Sequence, residues 1–255
     1  DGAFAAPPGR YDTLVKNPDG TFKLTDKHKM RYDFNAEGRL TAVVDRNGNT
    51  MTFAYTDGKL TTITDATGRQ ITLAYNAQGL LASITDWAGR TWTYGYDPVT
   101  QDLLTVTEPA TPEFPGGTTT TYTYTDHRLT SITDPKGQTW LVNTYDSLGR
   151  VASQDHAGAT YTFTYDADNM RTTVTDGRGI ETRVTHNAPG NPTETVILTR
   201  GWRPGDPPSY TTTSGYNAEM EGTVTVHPRG NQEAMTYDAL GNLLTHTRIA
   251  APVSG

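Results

Sequence analysis

The sequence contains no cysteine and few hydrophobic residues, and it has no excess of positive charge. Without cysteine, a disulfide framework, thiolate catalysis and zinc–thiolate sites are excluded. Only 34% of the 255 residues are hydrophobic, whereas roughly 45–50% of a typical globular domain is apolar when glycine is counted too. No run approaches the roughly 18 apolar residues that a membrane-spanning helix needs. The net charge of −7 and the isoelectric point of about 5.3 argue against a nucleic-acid-binding protein.

Threonine, tyrosine and glycine are abundant instead. The chain has 48 threonines, 14 tyrosines and 25 glycines. Threonine and tyrosine favour β-strands, and glycine favours the turns between them. The composition therefore excludes a helical bundle. Together with the repeat and the strand-type alternation described below, it predicts an all-β protein with strands of about four to eight residues.

A tyrosine followed by a polar residue recurs along the chain at a nearly constant interval. Seven of the nine intervals lie between 20 and 23 residues, which indicates a repeat protein. The first residues of these pairs are Tyr32, Tyr55, Tyr75, Tyr96, Tyr124, Tyr145, Tyr165, His186, Tyr216 and Tyr237.

The pattern Asp-x-x-Gly recurs with the same period. It begins at Asp45, Asp65, Asp86, Asp134, Asp155 and Asp176, and His227 takes the place of the aspartate once more. Aspartate first and glycine fourth suit a type I turn, and a left-handed glycine can add the bulge that lets a hairpin keep its twist. Each unit therefore reads as two short strands joined by turns.

Large residues alternate with small or polar ones inside each unit, as in Ile71, Leu73 and Tyr75. This period of two places the repeat tyrosines on one sheet face, where we expect them to pack between neighbouring units. Trp140 and Val142 have the opposite parity from Tyr145, so a bulge or a change of register is expected there. A unit of about 21 residues cannot bury its face alone, so neighbours must supply the rest.

The sequence predicts one continuous array rather than two domains. Residues 1–30 are a lead-in, and residues 31–255 hold about ten repeats. Two segments rich in proline and glycine, 108–118 and 199–209, interrupt the period and are expected to be surface insertions.

No motif of an enzyme or a cofactor site is present. The six histidines form no HExxH or HxH pair, and neither a Gly-x-Ser-x-Gly elbow nor a Walker-type motif occurs. The repeated aspartates could bind calcium, but one carboxylate every twenty residues fits a turn cap better. The aromatic residues could stack on sugars, but their regular spacing fits packing. Phe114 and Trp202 lie in the insertions, off the period, and are the candidate binding residues.

The repeat resembles the YD repeat of Rhs proteins. The copies that carry the resemblance are YDFNAEGRLTAVVDRNGN, YNAQGLLASITDWAGR, YDSLGRVASQDHAGA and YDALGNLL, and the resemblance extends from about Tyr11 to Leu244. YD repeats also occur in the C components of insecticidal ABC toxins and in animal teneurins. The resemblance implies an antiparallel β-ribbon that winds into an open spiral or partial shell. The Asp-Pro-x-Gly-Leu autoproteolysis motif of the toxins is missing, so a piece of the shell from its N-terminal part is expected.

Three functions follow as hypotheses. The first is a structural segment of a secreted or bacterial surface protein, whose partners are the rest of that polypeptide and a C-terminal toxin effector. The second is an adhesion module that binds a glycan or a protein, and the third is a carbohydrate-active enzyme. No metal, cofactor or nucleic acid is expected. Because a spiral of strands has free edges, edge-to-edge self-association is also expected.

Overall fold

The computed structural model describes residues 2–4, 6, 11–199, 205 and 207–251. Within these residues the chain forms twenty-three β-strands and no helix. It divides into two compact units, one of residues 1–127 with 133–138 and one of residues 128–132 with 139–255. No stretch of the described chain forms a helix that could cross a membrane. The all-β prediction is therefore confirmed.

The first unit contains twelve of the strands. They are β1 (Gly2–Phe4), β2 (Thr13–Lys16), β3 (Phe22–Thr25), β4 (Arg31–Phe34), β5 (Leu40–Val44), β6 (Thr50–Thr56), β7 (Lys59–Thr64), β8 (Gln70–Tyr75), β9 (Leu81–Thr85), β10 (Thr91–Tyr96), β11 (Leu103–Thr107) and β12 (Thr119–Thr125). Since β2 and β3 belong to this unit, the sheet begins within the lead-in of residues 1–30.

The second unit contains the remaining strands, apart from the last residue of β13. They are β13 (Arg128–Thr133), β14 (Thr139–Tyr145), β15 (Val151–His156), β16 (Ala159–Asp166), β17 (Arg171–Thr175), β18 (Glu181–His186), β19 (Pro192–Leu198), β20 (Ser209–Tyr216), β21 (Gly222–Val226), β22 (Gln232–Tyr237) and β23 (Leu243–Ile249).

Strands that follow each other in the chain pair antiparallel, from β1 to β12 in the first unit and from β14 to β23 in the second. Among the described residues, no pairing joins β1 to β12 or β14 to β23. Each unit is therefore an open antiparallel ribbon, as predicted.

A β-bulge recurs at the end of the first strand of most repeats. In the pairing of β8 with β9, the register shifts between Ala74 and Tyr75. The predicted bulge before Tyr145 is present between Thr144 and Tyr145, and the same shift precedes Tyr55, Tyr96, His186, Tyr216 and Tyr237. Because a bulge increases local twist, its repetition twists the ribbon once per repeat.

Strand direction alternates, so each unit has two edges of turns. We call the edge that follows the repeat tyrosines the tyrosine edge. In the first unit it carries the turns 17–21, 35–39, 57–58, 76–80 and 97–102, and in the second 146–150, 167–170, 187–191, 217–221 and 238–242. The opposite edge is the aspartate edge. It carries the turns 26–30, 45–49, 65–69 and 86–90 and the loop 108–118 in the first unit, and 157–158, 176–180 and 227–231 in the second.

Neither unit has a hydrophobic interior of the usual kind. Within each unit, strands contact only their neighbours in the ribbon. Val44 is the only buried apolar residue among those described, with 7% of its surface exposed. Contacts between neighbouring strands, apolar and polar, must therefore provide most of the stability.

Candidate functional site

Seven of the repeat tyrosines join their repeat to the one before it. The Tyr75 hydroxyl, at the end of β8, donates a hydrogen bond of 2.8 Å to the carbonyl oxygen of Leu60 at the start of β7. The same bond runs from Tyr55 to Leu40, Tyr96 to Leu81, Tyr145 to Leu129, Tyr165 to Val151, Tyr216 to Pro192 and Tyr237 to Gly222, over 2.6–2.9 Å. We call this contact the tyrosine junction.

A cation covers the tyrosine ring at several junctions. Lys59, which precedes the acceptor Leu60, places its Nζ 5.2 Å from the centre of the Tyr75 ring. Equivalent pairs are Arg39 with Tyr55, Arg128 with Tyr145 and Arg150 with Tyr165. Such a contact at an exposed site contributes about 0.5–1 kcal/mol. A cation followed directly by a leucine or valine thus places a charge and a carbonyl acceptor against the tyrosine of the next repeat.

The glycine of the following turn leaves room for that cation. Gly79 has a left-handed backbone with φ +82°, and a Cβ on it would collide with the Nζ of Lys59. The same relation holds between Gly58 and Arg39. A side chain here would strain the turn and displace the cation from the tyrosine ring.

On the aspartate edge, each aspartate binds its own turn. The Oδ1 of Asp65 accepts the backbone N–H groups of Thr67 and Arg69, and its Oδ2 accepts the Arg69 Nε–H over 2.6 Å. Gly68 donates its N–H to the Asp65 carbonyl oxygen and has φ +84°. The two backbone amide bonds to Oδ1 recur at Asp45, Asp86, Asp134 and Asp176. Asp146 and Asp238 cap turns of the tyrosine edge in the same way.

These hydrogen bonds stabilise the charged carboxylates. The Thr67 hydroxyl, followed by Arg69, lowers the pKa of Asp65, and the Arg150 amide lowers that of Asp146. At Asp86, burial raises the pKa, but the hydrogen bonds from Arg90 and Ala88 outweigh burial and lower the pKa overall. Each carboxylate is thus engaged within its own turn. In the described chain, no group of three or more histidine, aspartate or glutamate side chains could hold a metal ion.

Three repeat positions depart from the common geometry. Phe34 lies at the bulge where other repeats have tyrosine, and Tyr32 lies two residues earlier on β4. Asp155 lies inside β15, which continues to His156 and ends in a two-residue turn, so it binds Gly158 and Thr160. Tyr124 is half-buried on β12, where burial raises its pKa.

The two candidate binding residues can be placed only in part. Phe114 lies in the loop 108–118 on the aspartate edge of the first unit, and 46% of its surface is exposed. Its carbonyl oxygen accepts the N–H groups of Thr111 and Gly117, so the loop is internally bonded. Trp202 lies outside the described residues.

Two features of the site escape the sequence pattern. The cations that cover the tyrosines are fifteen to seventeen residues away in the chain, and only the Arg or Lys before each leucine or valine acceptor could have indicated them. Trp87 occupies the second position of an Asp-x-x-Gly turn, where it is 53% exposed. Because Trp87 lies in a turn that keeps the regular period, the sequence did not indicate that its side chain is exposed.

Comparison with known proteins gives one family. The family model described as Teneurin YD-shell matches residues 16–191. No relative with a curated function matches the sequence significantly. Among solved structures, the crystal structure of TcdB2-TccC3-Cdc42 has a TM-score of 0.50 at 12% identity over 95% of this chain. The crystal structure of TcdB2-TccC3 without its hypervariable C-terminal region has 0.47 at 14% over 94%. This chain spans only 18% and 17% of those chains. At 12% identity, the likeness to the first concerns the fold alone.

Proposed function

Because the chain belongs to the Teneurin YD-shell family, we propose that it is a structural stretch of shell wall in a longer secreted or cell-surface protein. In this proposal the wall encloses or presents a C-terminal effector and has no chemistry of its own. The partners of the chain are then the rest of the same polypeptide and that effector.

The tyrosine junction is the observation that supports this role. It recurs in both units and links seven repeats to the one before, while no core is seen in the described part of either unit. A ribbon built in this way can be lengthened repeat by repeat without redesign, because each new repeat needs only its neighbour. That property suits a wall better than a binding domain or an active site.

The product of the complete natural reading frame tests the proposal. We expect cryo-electron microscopy to find residues 11–251 as consecutive strands of a wall that surrounds a separate C-terminal domain. A complete product in which these strands stand apart from any enclosed or displayed domain would contradict the proposal.

A cell-surface adhesion module is the second candidate, and the exposed Phe114 favours it. An insertion that presents an aromatic side chain from a rigid sheet is a common form of binding loop. In this case Phe114→Ala should abolish retention of the chain on the surface of cells that bind it. Unchanged retention would leave the loop without a role in adhesion.

Self-association through a free edge is a further part of the proposal. Among the described residues, β23 pairs only with β22, and each of its seven residues is exposed. An unpaired strand edge presents amides and carbonyls that another strand can bind. Light scattering over a concentration series should show a reversible increase in mass, and replacing Thr247 on β23 with proline should suppress it. A mass that stays monomeric throughout would contradict this part.

A further inference from the structure

Exposed apolar side chains recur at the turns of the tyrosine edge in the second unit. Four of its five turns present a leucine or a methionine to solvent, and we call these four residues the apolar row. They are Leu148 (74% exposed), Met170 (49%), Met220 (45%) and Leu240 (56%). The turns 157–158, 176–180 and 227–231 of the aspartate edge contain no exposed large hydrophobic residue. In the described turns of this unit, exposed apolar surface is therefore concentrated on one edge.

The turns do not need the two leucines in order to form. Leu148 and Leu240 are the third residues of their turns, and the backbone N–H of each donates to the carboxylate of the aspartate that begins the turn. The turn 176–180 makes the same backbone bond with Arg178 at this position. The leucine side chains therefore add exposed apolar surface that the local fold does not use.

The two methionines occupy a backbone conformation that favours glycine. Met170 has φ +48° and Met220 has φ +67°, and the N–H of each donates to the carbonyl oxygen three residues earlier. Gly149 and Gly241 make the same bond at the corresponding positions of their turns, each with φ +77°. A large side chain is unfavourable in this left-handed region. Its presence in two turns points to a role for the methionines outside the turns themselves.

Negative charge accompanies the apolar row. The five turns of this edge contain five carboxylates and one arginine, whereas the three turns of the aspartate edge named above contain one carboxylate and two arginines. Asp168 lies two residues before Met170, Glu219 directly precedes Met220, and both carboxylates are exposed. An acidic apolar surface is complementary to a partner that combines apolar with basic side chains. The same edge of a second copy would not fit, because its carboxylates would repel these.

The spacing of the turns matches the repeat of an α-helix. Successive turns on one edge are two strands apart, which is about 10 Å at the usual strand spacing. A helix advances about 10.5 Å in seven residues. Side chains seven residues apart on one helix face would therefore reach successive turns, and a helix of about 15 residues would contact three of them.

We propose that the apolar row is a docking surface for a basic amphipathic α-helix of a partner protein. The apolar face of the helix packs on the leucines and methionines of the row, and lysine or arginine side chains beside that face pair with the carboxylates of the turns. Methionine suits such a surface because its unbranched side chain adapts to the shape of a partner. The proposal goes beyond the shell-wall function, which requires only that neighbouring repeats pair.

Fluorescence anisotropy of two labelled synthetic helices, titrated with the whole chain, tests the docking surface. Both peptides are four heptads long with leucine at the a and d positions, and all other positions are lysine in one peptide and glutamate in the other. We expect the lysine peptide to bind with a Kd of about 100 µM or tighter, and the glutamate peptide to bind at least tenfold more weakly. Weaker binding of the lysine peptide than this, or equal binding of both peptides, would overturn the proposal.

Variants separate loss of binding from loss of the fold. The double variant Met170→Gly and Met220→Gly places glycine where the other turns have it, so its Tm should equal or exceed that of the parent while its affinity for the lysine peptide falls at least tenfold. The double variant Leu148→Gln and Leu240→Gln should also keep the parent Tm and lose at least tenfold in affinity.

Val99→Gln is the matched control. Val99 is 86% exposed in the turn 97–102, on the tyrosine edge of the first unit, so this variant removes an apolar side chain from the same kind of turn and should bind like the parent. Parental affinity in either double variant would contradict the proposal, as would an equal loss of affinity in Val99→Gln. The shell-wall function does not depend on any of these outcomes.

Discussion

At the scale of single residues, polar bonds connect neighbouring repeats. A tyrosine junction combines one hydrogen bond, with a net contribution of about 1 kcal/mol, and in several repeats a cation–π contact of about 0.5–1 kcal/mol. Such terms are small alone, but they recur at seven tyrosines of the described chain. The stability of the array therefore depends on the sum of small contributions from separate junctions.

Removing one hydroxyl should weaken one junction. Tyr75→Phe loses the bond to the Leu60 carbonyl and should lower the free energy of unfolding by about 1 kcal/mol. The sequence predicts 3–5 kcal/mol for Tyr75→Ala if the ring is well buried, but the ring is half-buried, so about 2–3 kcal/mol is expected. Urea denaturation measures the free energy of unfolding of both Tyr75 variants. The control is Tyr161→Phe, which changes an exposed tyrosine. If Tyr75→Phe is as stable as the control, the junction does not stabilise the fold.

The aspartate caps should make the protein sensitive to acid. The folded-state pKa values of Asp65, Asp146 and Asp176 are lowered from an ordinary value of 3.8. Their stabilisation is therefore complete above about pH 4 and is lost as the pH falls from there toward the folded-state pKa values. Thermal unfolding should give a nearly constant Tm between pH 7 and 5 and a falling Tm below about pH 4.

Asparagine at the same positions provides the matched control. Asn187 caps its turn with the same backbone bond, to the N–H of Asn191, and does not titrate. The double variant Asp65→Asn and Asp176→Asn should therefore keep the fold and lose Tm less steeply below pH 4. An identical slope in parent and variant would show that these caps do not cause the acid sensitivity.

At the scale of turns and strands, the sequence predicts what depends on neighbours in the chain. Strand alternation, the Asp-x-x-Gly turns and the bulge before Tyr145 all follow from residues within a few positions of one another. The tyrosine junction could not be derived, because Leu60 and Tyr75 are fifteen residues apart and meet only through the register of β7 and β8. The phase of the first repeat was missed because Phe34 replaces the expected tyrosine.

The insertion 108–118 offers a test of turn geometry. Gly117 has φ +77°, and a Cβ there would collide with the carbonyl oxygen of Glu108, at the point where Glu108 and Thr118 close the loop. Gly117→Ala should therefore destabilise the protein by about 2 kcal/mol or more. Gly116→Ala, next to it in open space, should change stability by less than about 0.5 kcal/mol. Chemical denaturation compares the free energies of unfolding of the two variants. Equal losses of stability would contradict the loop geometry.

At the scale of the whole molecule, the low hydrophobicity of the chain fits the open ribbon that each unit forms. A chain with 34% hydrophobic residues has little apolar surface to bury, and Val44 alone is a buried apolar residue in the described part. In such an array each repeat stabilises only its neighbours, so stability is approximately a sum of repeat and junction terms. Composition and the repeat pattern predicted an all-β chain, the resemblance implied the open ribbon, and the shell-wall role depends on the family.

Native-state hydrogen exchange of the parent and of Tyr75→Phe tests the central claim, that junctions between neighbouring repeats hold the ribbon together. If they do, the variant should lower the opening free energies of amides in β6 to β9, on either side of the altered junction. Amides in β2 and β3 of the same unit should keep their parent values. An equal fall at every protected amide of the first unit would indicate one cooperative core and contradict the account.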